Sequence, residues 1–300
     1  MFDIKIGTMI PAIPAASMIR QLGPYGFECY TLDFNGVAGR ILPRVTEHAK
    51  EVEEALDGRP VSCIGFYGDP INVPECRENL IGIIKAARHY GCSTIGTFAG
   101  GTSGASVPDN IAGFKAVFTE IAKIAEDEGV KIGFEGCGSG WRRNSGNIGY
   151  CPRAWEMMFD AVPSPALGLE WEPAHAVAQF MDPVAQARQW ADRIVHIHGK
   201  DATVAWDIVR RYGIDGGVSC IWDRTPGYGD SNWADIFTAL IMCGYEGSCD
   251  IEGYHDPVHY DDMEWTTQIA SLDYLKRARG GVSYVRGPEE YRGFQGSRKK

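Results

Sequence analysis

Long apolar runs are missing from this sequence of 300 residues. Its apolar stretches are far shorter than the roughly 18 consecutive residues that mark a membrane-spanning helix. The N-terminal stretch MFDIKIGTMIPAI begins in a strand-like pattern and lacks the basic region, apolar block and cleavage site of a secretory signal. From these features we expect a cytoplasmic protein without membrane association.

Paired cysteines and a basic surplus are missing as well. The nine cysteines are scattered singly, without a C-x-x-C pair, whereas secreted disulfide scaffolds usually have an even number in a much shorter chain. The formal net charge is −10, and a nucleic-acid-binding surface needs Lys and Arg to neutralise phosphates. Both properties argue against a disulfide scaffold and against a large nucleic-acid interface.

Short strand-like and helix-like segments alternate along most of the chain. Strands are predicted at 4–10, 29–34, 61–67, 94–99, 131–137, 167–172, 194–199 and 248–253. Helices are predicted at 17–23, 45–57, 77–90, 110–128, 152–161, 182–192, 233–243 and 261–278. This alternation predicts an α/β protein with a closed (β/α)8 TIM barrel. An open doubly wound sheet is the alternative, but no G-x-G-x-x-G follows the first strand.

The barrel pattern predicts a single domain over residues 1–278, followed by a C-terminal extension at 279–300. An insert at 202–231, rich in Gly, Trp and Asp, is predicted to be a loop. The extension carries six basic and two acidic residues and three aromatic residues. We expect 279–296 to pack on the barrel or on a neighbouring subunit of a homo-oligomer, and the final SRKK to be disordered.

Acidic residues and histidines recur at the ends of the last four predicted strands, in GFEGCG, LEWEPAH, VHIHGKD and CDIEGYHD. The active site of a TIM barrel lies at the C-terminal ends of its strands. Since side chains alternate along a strand, four of these residues are predicted to point inward to one rim. They are Glu135, Glu172, His198 and Glu252. Phe134, Trp171 and Ile251 are predicted to point outward.

Three converging carboxylates would repel one another and raise their pKa values, and a divalent cation removes that difficulty. Three oxygen ligands and one imidazole suit Mn²⁺ best, with Mg²⁺, Co²⁺, Fe²⁺ and Zn²⁺ as alternatives. Taken singly, each acidic residue could instead be a paired charge in the core, and the histidine could be a hydrogen-bonded core residue. Their occurrence on adjacent strand ends favours a metal site.

The sequence resembles the sugar phosphate isomerase/epimerase family of the xylose-isomerase-like TIM barrel superfamily. The resemblance covers roughly residues 4–278 and rests on FEGC, GNIGYCPRAWEMMFD, GLEWEPAH, DRIVHIHGKDA, PGYGDSNWADIFTALIMCGYEGSCDIEGYHDP and YLKRARGG. It implies a metal set of Glu135, Glu172, His198 and Glu252, where relatives commonly have Asp at the second position. Relatives that epimerise free ketoses tend to carry Arg shortly after the metal His. This chain has Lys200 and Asp201 there.

Further residues are candidates for substrate binding. The resemblance implies that His175 contacts a substrate oxygen. Lys200 is predicted to hold a substrate oxygen or to form an ion pair with Asp201 or with a ligand carboxylate. Arg224 and His255 are candidates for binding hydroxyl groups, with surface placement as the alternative. An aromatic wall for a sugar is predicted from Phe66, Tyr67, Trp141 and Trp206, with packing under loops as the alternative.

The expected activity is isomerisation or epimerisation of a carbohydrate or keto-sugar, with one divalent metal ion as cofactor. Glu135 and Glu252 are the predicted acid–base pair, which removes and returns a proton beside a carbonyl. A lyase or dehydratase, including elimination from a 3-keto-glycoside, shares the first step and is the main alternative. An apurinic endonuclease with a trinuclear zinc site and a non-catalytic subunit are two further alternatives.

Overall fold

The computed structural model describes residues 3–35, 45–137 and 146–286. Its strands are β1 (Lys5–Pro11), β2 (Tyr30–Asp33), β3 (Val61–Gly65), β4 (Thr94–Thr97), β5 (Lys131–Glu135), β6 (Leu167–Trp171), β7 (Ile194–Gly199), β8 (Asp201–Val204), β9 (Ile221–Arg224) and β10 (Ser248–Ile251). All except β8 and β9 form a closed barrel in chain order, and β10 returns to pair with β1. The predicted TIM barrel is therefore confirmed.

Helices cover the outside of the barrel. The α-helices of the described residues are α1 (Ala15–Leu22), α2 (Val45–Leu56), α3 (Pro74–Ala86), α4 (Val107–Glu128), α5 (Pro152–Ala161), α6 (Pro173–Ala178), α7 (Pro183–Trp190), α8 (Trp206–Tyr212), α9 (Trp233–Met242) and α10 (Asp262–Ala278). Short 3-10 turns follow α1 and α3, at Gly23–Tyr25 and Ala87–Tyr90. Among the helices of the described ranges, none is long and apolar enough to cross a membrane.

The outward side chains of the strands form the core between barrel and helices. Phe134 on β5 packs against Phe114 and Phe118 of α4, with ring centroids 5.6 and 5.0 Å apart. The indole N–H of Trp171 on β6 donates a hydrogen bond of 2.9 Å to Gln186 of α7. Since alternate residues of a strand face opposite sides, these contacts direct the neighbouring glutamates to the barrel interior.

Helix α4 begins earlier than the sequence pattern predicts. The sequence pattern predicts a start at residue 110, but the helix starts at Val107, and the backbone N–H of Asp109 donates to Ser106 Oγ. Asn110 lies one turn inside the helix, where its Oδ1 accepts a hydrogen bond of 2.7 Å from the backbone of Thr102. Serine and asparagine both cap helices well. Here Ser106 is the cap, and the side chain of Asn110 instead binds the backbone of the preceding loop.

The insert at 202–231, predicted to be a loop, contains regular structure. Strands β8 and β9 form an antiparallel hairpin in which Asp201 pairs with Arg224 and Val204 pairs with Ile221. Helix α8 lies between the two strands. The hairpin continues directly from β7, so it extends from the C-terminal end of the barrel beside the candidate site.

The C-terminal extension is attached to the opposite end of the barrel by Arg279. Its guanidinium donates to both carboxylate oxygens of Glu28, at 2.7 Å for one of them, and to the backbone carbonyl of Ile4. Residues 282–286 are exposed. The predicted packing of 279–296 stays a prediction beyond this anchor, because residues 287–300, including Tyr291 and Phe294, lie outside the described residues.

Replacement of Arg279 by Leu is expected to lower the free energy of unfolding. The cost should lie between the roughly 0.2–1 kcal/mol of an exposed ion pair and the roughly 3–5 kcal/mol of a broken buried pair, because Glu28 is partly exposed. Burial raises the pKa of Glu28, but the hydrogen bond and charge of Arg279 outweigh it and lower the pKa overall.

A carboxylate with a lowered folded-state pKa stabilises the fold above its unfolded pKa, and this stabilisation is lost as the pH falls through the folded-state pKa. Urea denaturation should therefore show the largest difference between wild type and variant near neutral pH and a smaller one in acid. Arg20→Leu is the control, since its 3.9 Å pair with Glu51 is exposed. Equal effects of the two substitutions would contradict an anchoring role.

Candidate active site

Four buried side chains meet at the C-terminal end of the barrel. Glu135 is the last residue of β5, Glu172 follows β6, His198 lies in β7 and Glu252 follows β10. One potential ligand atom from each lies within 4.8 Å of the others. Glu172 immediately precedes helix α6, but its side chain does not cap that helix. The structure thus brings together the four residues that the sequence pattern singles out.

Several polar atoms of this cluster are buried and lack a hydrogen-bond partner among the described residues. They are both carboxylate oxygens of Glu172, Nδ1 of His198 and Oε2 of Glu252. His198 Nδ1 lies 3.1 Å from the Glu252 oxygen and 3.8 Å from Glu172 Oε2, without hydrogen-bond geometry. Buried polar groups are rarely left unpaired, and a cation shared by these atoms would satisfy them. The residues present therefore fit a divalent metal.

Lys200 places its ammonium group beside two of the carboxylates. Its Nζ lies 3.2 Å from Glu252 Oε1 and 3.5 Å from Glu172 Oε1. Burial alone would lower the pKa of Lys200, but the two carboxylates hold it well above its ordinary value. Lys200 therefore lies with Glu172 and Glu252, the carboxylates predicted to bind a metal, rather than with Asp201. Asp201 instead accepts a hydrogen bond from the Trp233 indole at 3.1 Å.

The carboxylates of the cluster differ in their electrostatic environment. Burial raises the pKa of each, but His175 and Lys200 more than offset it for Glu172, so that its pKa is lowered. Lys200 and His198 likewise hold the pKa of Glu252 well below its ordinary value. The pKa of Glu135 is raised, because burial and the charge of Glu252 outweigh the opposing effect of the nearby His175. Carboxylates with divergent pKa values are suited to different acid–base roles.

A second layer of charged residues lies below the cluster and was not predicted. Glu170 Oε1 is 2.8 Å from His196 Nδ1 and 3.1 Å from His198 Nε2, while Oε2 accepts a hydrogen bond of 3.0 Å from Tyr67. The charge of Glu170 favours a proton on Nε2 of His198, while Nδ1 is directed at the carboxylate cluster. Carboxylates commonly orient metal-binding histidines in this way.

The second layer continues across the barrel through His196. Its Nε2 lies 2.9 Å from Asp250 Oδ2, which also accepts hydrogen bonds from the hydroxyls of Thr31 and Ser62. Burial opposes the charge on Asp250, but the hydrogen bond and charge of His196 lower its pKa overall. Each buried charge in this layer therefore has partners, as buried charges require.

Gly96 on β4 makes room for this second layer. A Cβ atom on Gly96 would overlap both carboxylate oxygens of Glu170. Glu170 is held by three side chains and is fully buried, so it has little space in which to move. A glycine is therefore required on the neighbouring strand, since any larger side chain would displace the carboxylate that holds His198.

Two further histidines contact the cluster. His175 Nε2 lies against Glu172 Oε1 and 3.8 Å from Glu135 Oε1. His255 Nε2 lies 3.2 Å from Glu252 Oε1, and its side chain is 44% exposed. Both lie where they can reach a molecule bound over the carboxylates, and the role predicted for them in substrate binding stays a prediction.

Arg224 is held at the end of the hairpin by Asp256, a residue that the sequence analysis missed. Its Nε donates to the carboxylate at 3.2 Å, and the same carboxylate accepts from the backbone and hydroxyl of Thr225. These bonds and that of Arg224 lower the pKa of Asp256 to about 2, against the effect of burial. Asp256 therefore ties the hairpin to the loop that follows β10.

The predicted aromatic wall is only partly assembled. Tyr67 lies at the site, with its hydroxyl 3.3 Å from His198 Nε2 and its ring 5.2 Å from that of Phe98. Phe66 belongs to the buried hydrophobic core, as its alternative interpretation held. Trp206 is 47% exposed and packs on Phe180. Trp141 lies outside the described residues.

With this fold and these side chains in place, the class of protein is established by comparison with known sequences. The model of the family described as xylose isomerase-like TIM barrel matches residues 19–278. The chain therefore belongs to the xylose isomerase-like TIM barrel family.

Individual relatives are more distant. The protein named uncharacterized protein YfiH of Bacillus subtilis (strain 168) is 28% identical over 130 residues, which are 39% of this chain and 41% of that protein. The crystal structure of 3-keto-D-glucoside 4-epimerase YcjR from E. coli has a TM-score of 0.68 at 16% identity and covers 91% of this chain and 99% of its own. That of the probable 3-DHS dehydratase AsbF from Bacillus anthracis has a TM-score of 0.65 at 14% identity, with 90% and 98% covered.

Proposed function

We propose that the protein is a divalent-metal-dependent isomerase or epimerase that abstracts a proton beside the carbonyl of a carbohydrate or keto-sugar. One observation carries the proposal: Glu135, Glu172, His198 and Glu252 converge, and several of their buried oxygen and nitrogen atoms have no hydrogen-bond partner among the described residues. Three carboxylates and one imidazole favour Mn²⁺, with Mg²⁺, Co²⁺, Fe²⁺ or Zn²⁺ as alternatives. A bound cation would supply Lewis-acid polarisation of the carbonyl group.

The chain's own residues would move the proton. Glu135 and Glu252 lie on strands separated by β6 and β7, so they can approach a bound sugar from different sides. Glu135 and Glu252 are proposed to form the acid–base pair, one removing the proton and the other returning it. His175, Lys200, Tyr67, Arg224 and His255 are proposed to hold substrate oxygens.

A lyase or dehydratase is the second candidate. Such an enzyme would begin with the same proton abstraction. The probable dehydratase among the structural neighbours supports this candidate. The epimerase YcjR, named for a 3-keto-D-glucoside, suggests the same kind of substrate for either reaction. Wild-type protein incubated in D₂O with keto-sugars and 3-keto-glycosides should exchange the hydrogen beside the carbonyl for deuterium, as followed by NMR. An epimerase yields a second epimer, whereas a lyase yields an unsaturated product.

Purified protein is expected to contain one catalytic divalent ion per chain, manganese when it is supplied. His198→Ala should lower Mn²⁺ occupancy because it removes a ligand, and Glu135→Gln and Glu252→Gln should do the same. Inductively coupled plasma mass spectrometry measures the occupancy, with Glu264→Gln on α10 as a matched control. Unchanged Mn²⁺ content in a double Glu135→Gln/His198→Ala variant would show that the metal lies elsewhere.

A further inference from the structure

Cys137 brings a sulfur atom to the edge of the carboxylate cluster. Glu135, Cys137 and His175 each offer a ligand atom within 4.8 Å of the other two. Asn147 fixes this stretch of chain, since its Nδ2 donates to the backbone carbonyls of Glu135 and Cys137 at 3.0 and 2.8 Å. The backbone that carries the sulfur is therefore held beside the imidazole. The sequence pattern did not reveal this, because the thiol and the imidazole follow different strands.

The imidazole of His175 supplies an independent sign of a ligand. Its Nε2 is buried and lies against Glu172 Oε1, but it makes no hydrogen bond to a described residue. It lies 3.8 Å from Glu135 Oε1, too far for a hydrogen bond but compatible with a shared ion. The His175 side chain is 18% exposed and Cys137 is half-buried, so an ion can reach both residues from the barrel mouth.

We propose that Glu135, Cys137 and His175 form a second cation site that prefers Zn²⁺. A thiolate, an imidazole and a carboxylate are typical zinc ligands, and a set of three leaves a fourth position open. The neighbouring set of three carboxylates and one imidazole prefers harder ions such as Mn²⁺. The thiol proton passes to solvent when the metal binds.

This proposal rests on the proposed function, because the two sites share Glu135. A Zn²⁺ ion in the second site would occupy both a proposed acid–base residue and a proposed substrate contact. Zinc at this position is therefore expected to inhibit the Mn²⁺-loaded protein, and Cys137→Ser should relieve that inhibition.

Cobalt titration of the metal-free protein tests the second site without reference to activity. A thiolate bound to Co²⁺ gives a charge-transfer absorption in the near ultraviolet, which carboxylate and imidazole ligands do not give. Wild-type protein should bind one Co²⁺ at each site and show this absorption, and Zn²⁺ should abolish it. Cys137→Ser should lose the absorption and one equivalent of Co²⁺. Cys243→Ser, which alters an exposed cysteine at the end of α9, should retain both.

His198→Ala separates this proposal from the proposed function. It removes a ligand of the first site only, so the variant should lose one equivalent of Co²⁺ and keep the absorption. If wild type binds one Co²⁺ without the absorption, or if the absorption persists in Cys137→Ser, the second site is wrong and the first site stands. If no Co²⁺ binds, both proposals fail. Circular dichroism checks that each variant is folded.

Discussion

Glu252→Gln is expected to slow turnover by at least about 10²–10⁴-fold, because an amide cannot accept the proton that the carboxylate removes or returns. Glutamine keeps the shape of the side chain, and its oxygen can still accept hydrogen bonds from Lys200 and His255, which lie 3.2 Å from Glu252 Oε1 in the wild type. Metal content is measured in the same samples, and rates are compared per bound metal. The conservative variant thereby separates proton transfer from loss of the ion.

Comparison with Glu135→Gln distinguishes the two candidate reactions. In an epimerase each glutamate serves one face of the carbon, so either variant should still exchange deuterium into one epimer but fail to interconvert them. In a lyase only the variant that lacks the abstracting base should lose exchange. Turnover with full retention of the original hydrogen at that carbon would contradict proton abstraction. Transfer of the hydrogen to the adjacent carbon would instead indicate a hydride shift.

Glu170→Gln is expected to weaken metal binding by about 10–100-fold, the usual effect of removing a residue that orients a metal-binding histidine. Glu170 Oε1 lies close to both His196 and His198, at 2.8 and 3.1 Å. A glutamine has one oxygen acceptor and cannot reproduce the charge, so the proton on His198 Nε2 is held less firmly. Calorimetric titration of metal-free protein with Mn²⁺ measures the affinity.

Thr31→Val is the matched control for Glu170→Gln. Its hydroxyl lies 3.2 Å from His196 Nε2 and donates to Asp250 at 2.6 Å, so the substitution disturbs the same buried layer without touching His198. Both variants should lose thermal stability, but only Glu170→Gln should lose affinity. It should also shift the ¹⁵N resonances of the His198 ring, which report its tautomer. Equal affinity losses in both variants would indicate a general effect on folding rather than orientation of His198.

Much of the site could be predicted because two regularities apply along each strand. Side chains alternate with a period of two, and the strands of a barrel present their C-terminal ends to one rim. The same alternation also predicts that two residues of the second layer point inward. Glu170 lies two residues before Glu172, and Asp250 lies two residues before Glu252. These deeper positions point inward by the same alternation, but they lie below the rim where the active site of a TIM barrel is expected.

Other features depend on contacts that no local pattern encodes. Helix α6 has six residues, too few for a helical period to be recognised. The hairpin β8–β9 is held by Asp256, which follows a later strand, so its partner could not be inferred from the insert alone. The proximity of Cys137 to His175 likewise depends on how the loops after β5 and β6 meet. Such contacts can be recognised only when the positions of the strands and of the loops that follow them are known.

The buried layer around Asp250 has a consequence for how the chain folds. Its carboxylate bonds to Thr31 and Ser62, which lie 219 and 188 residues away along the chain. These partners meet only when the last strand completes the ring beside β1. A barrel that excluded water before closing would leave the Asp250 carboxylate with His196 but without these two hydroxyl donors, and the loss of hydrogen bonds to a buried charge is destabilising. Half-barrel intermediates should therefore be disfavoured, so that ring closure and burial of the polar layer form one cooperative, late event governed by long-range loop entropy.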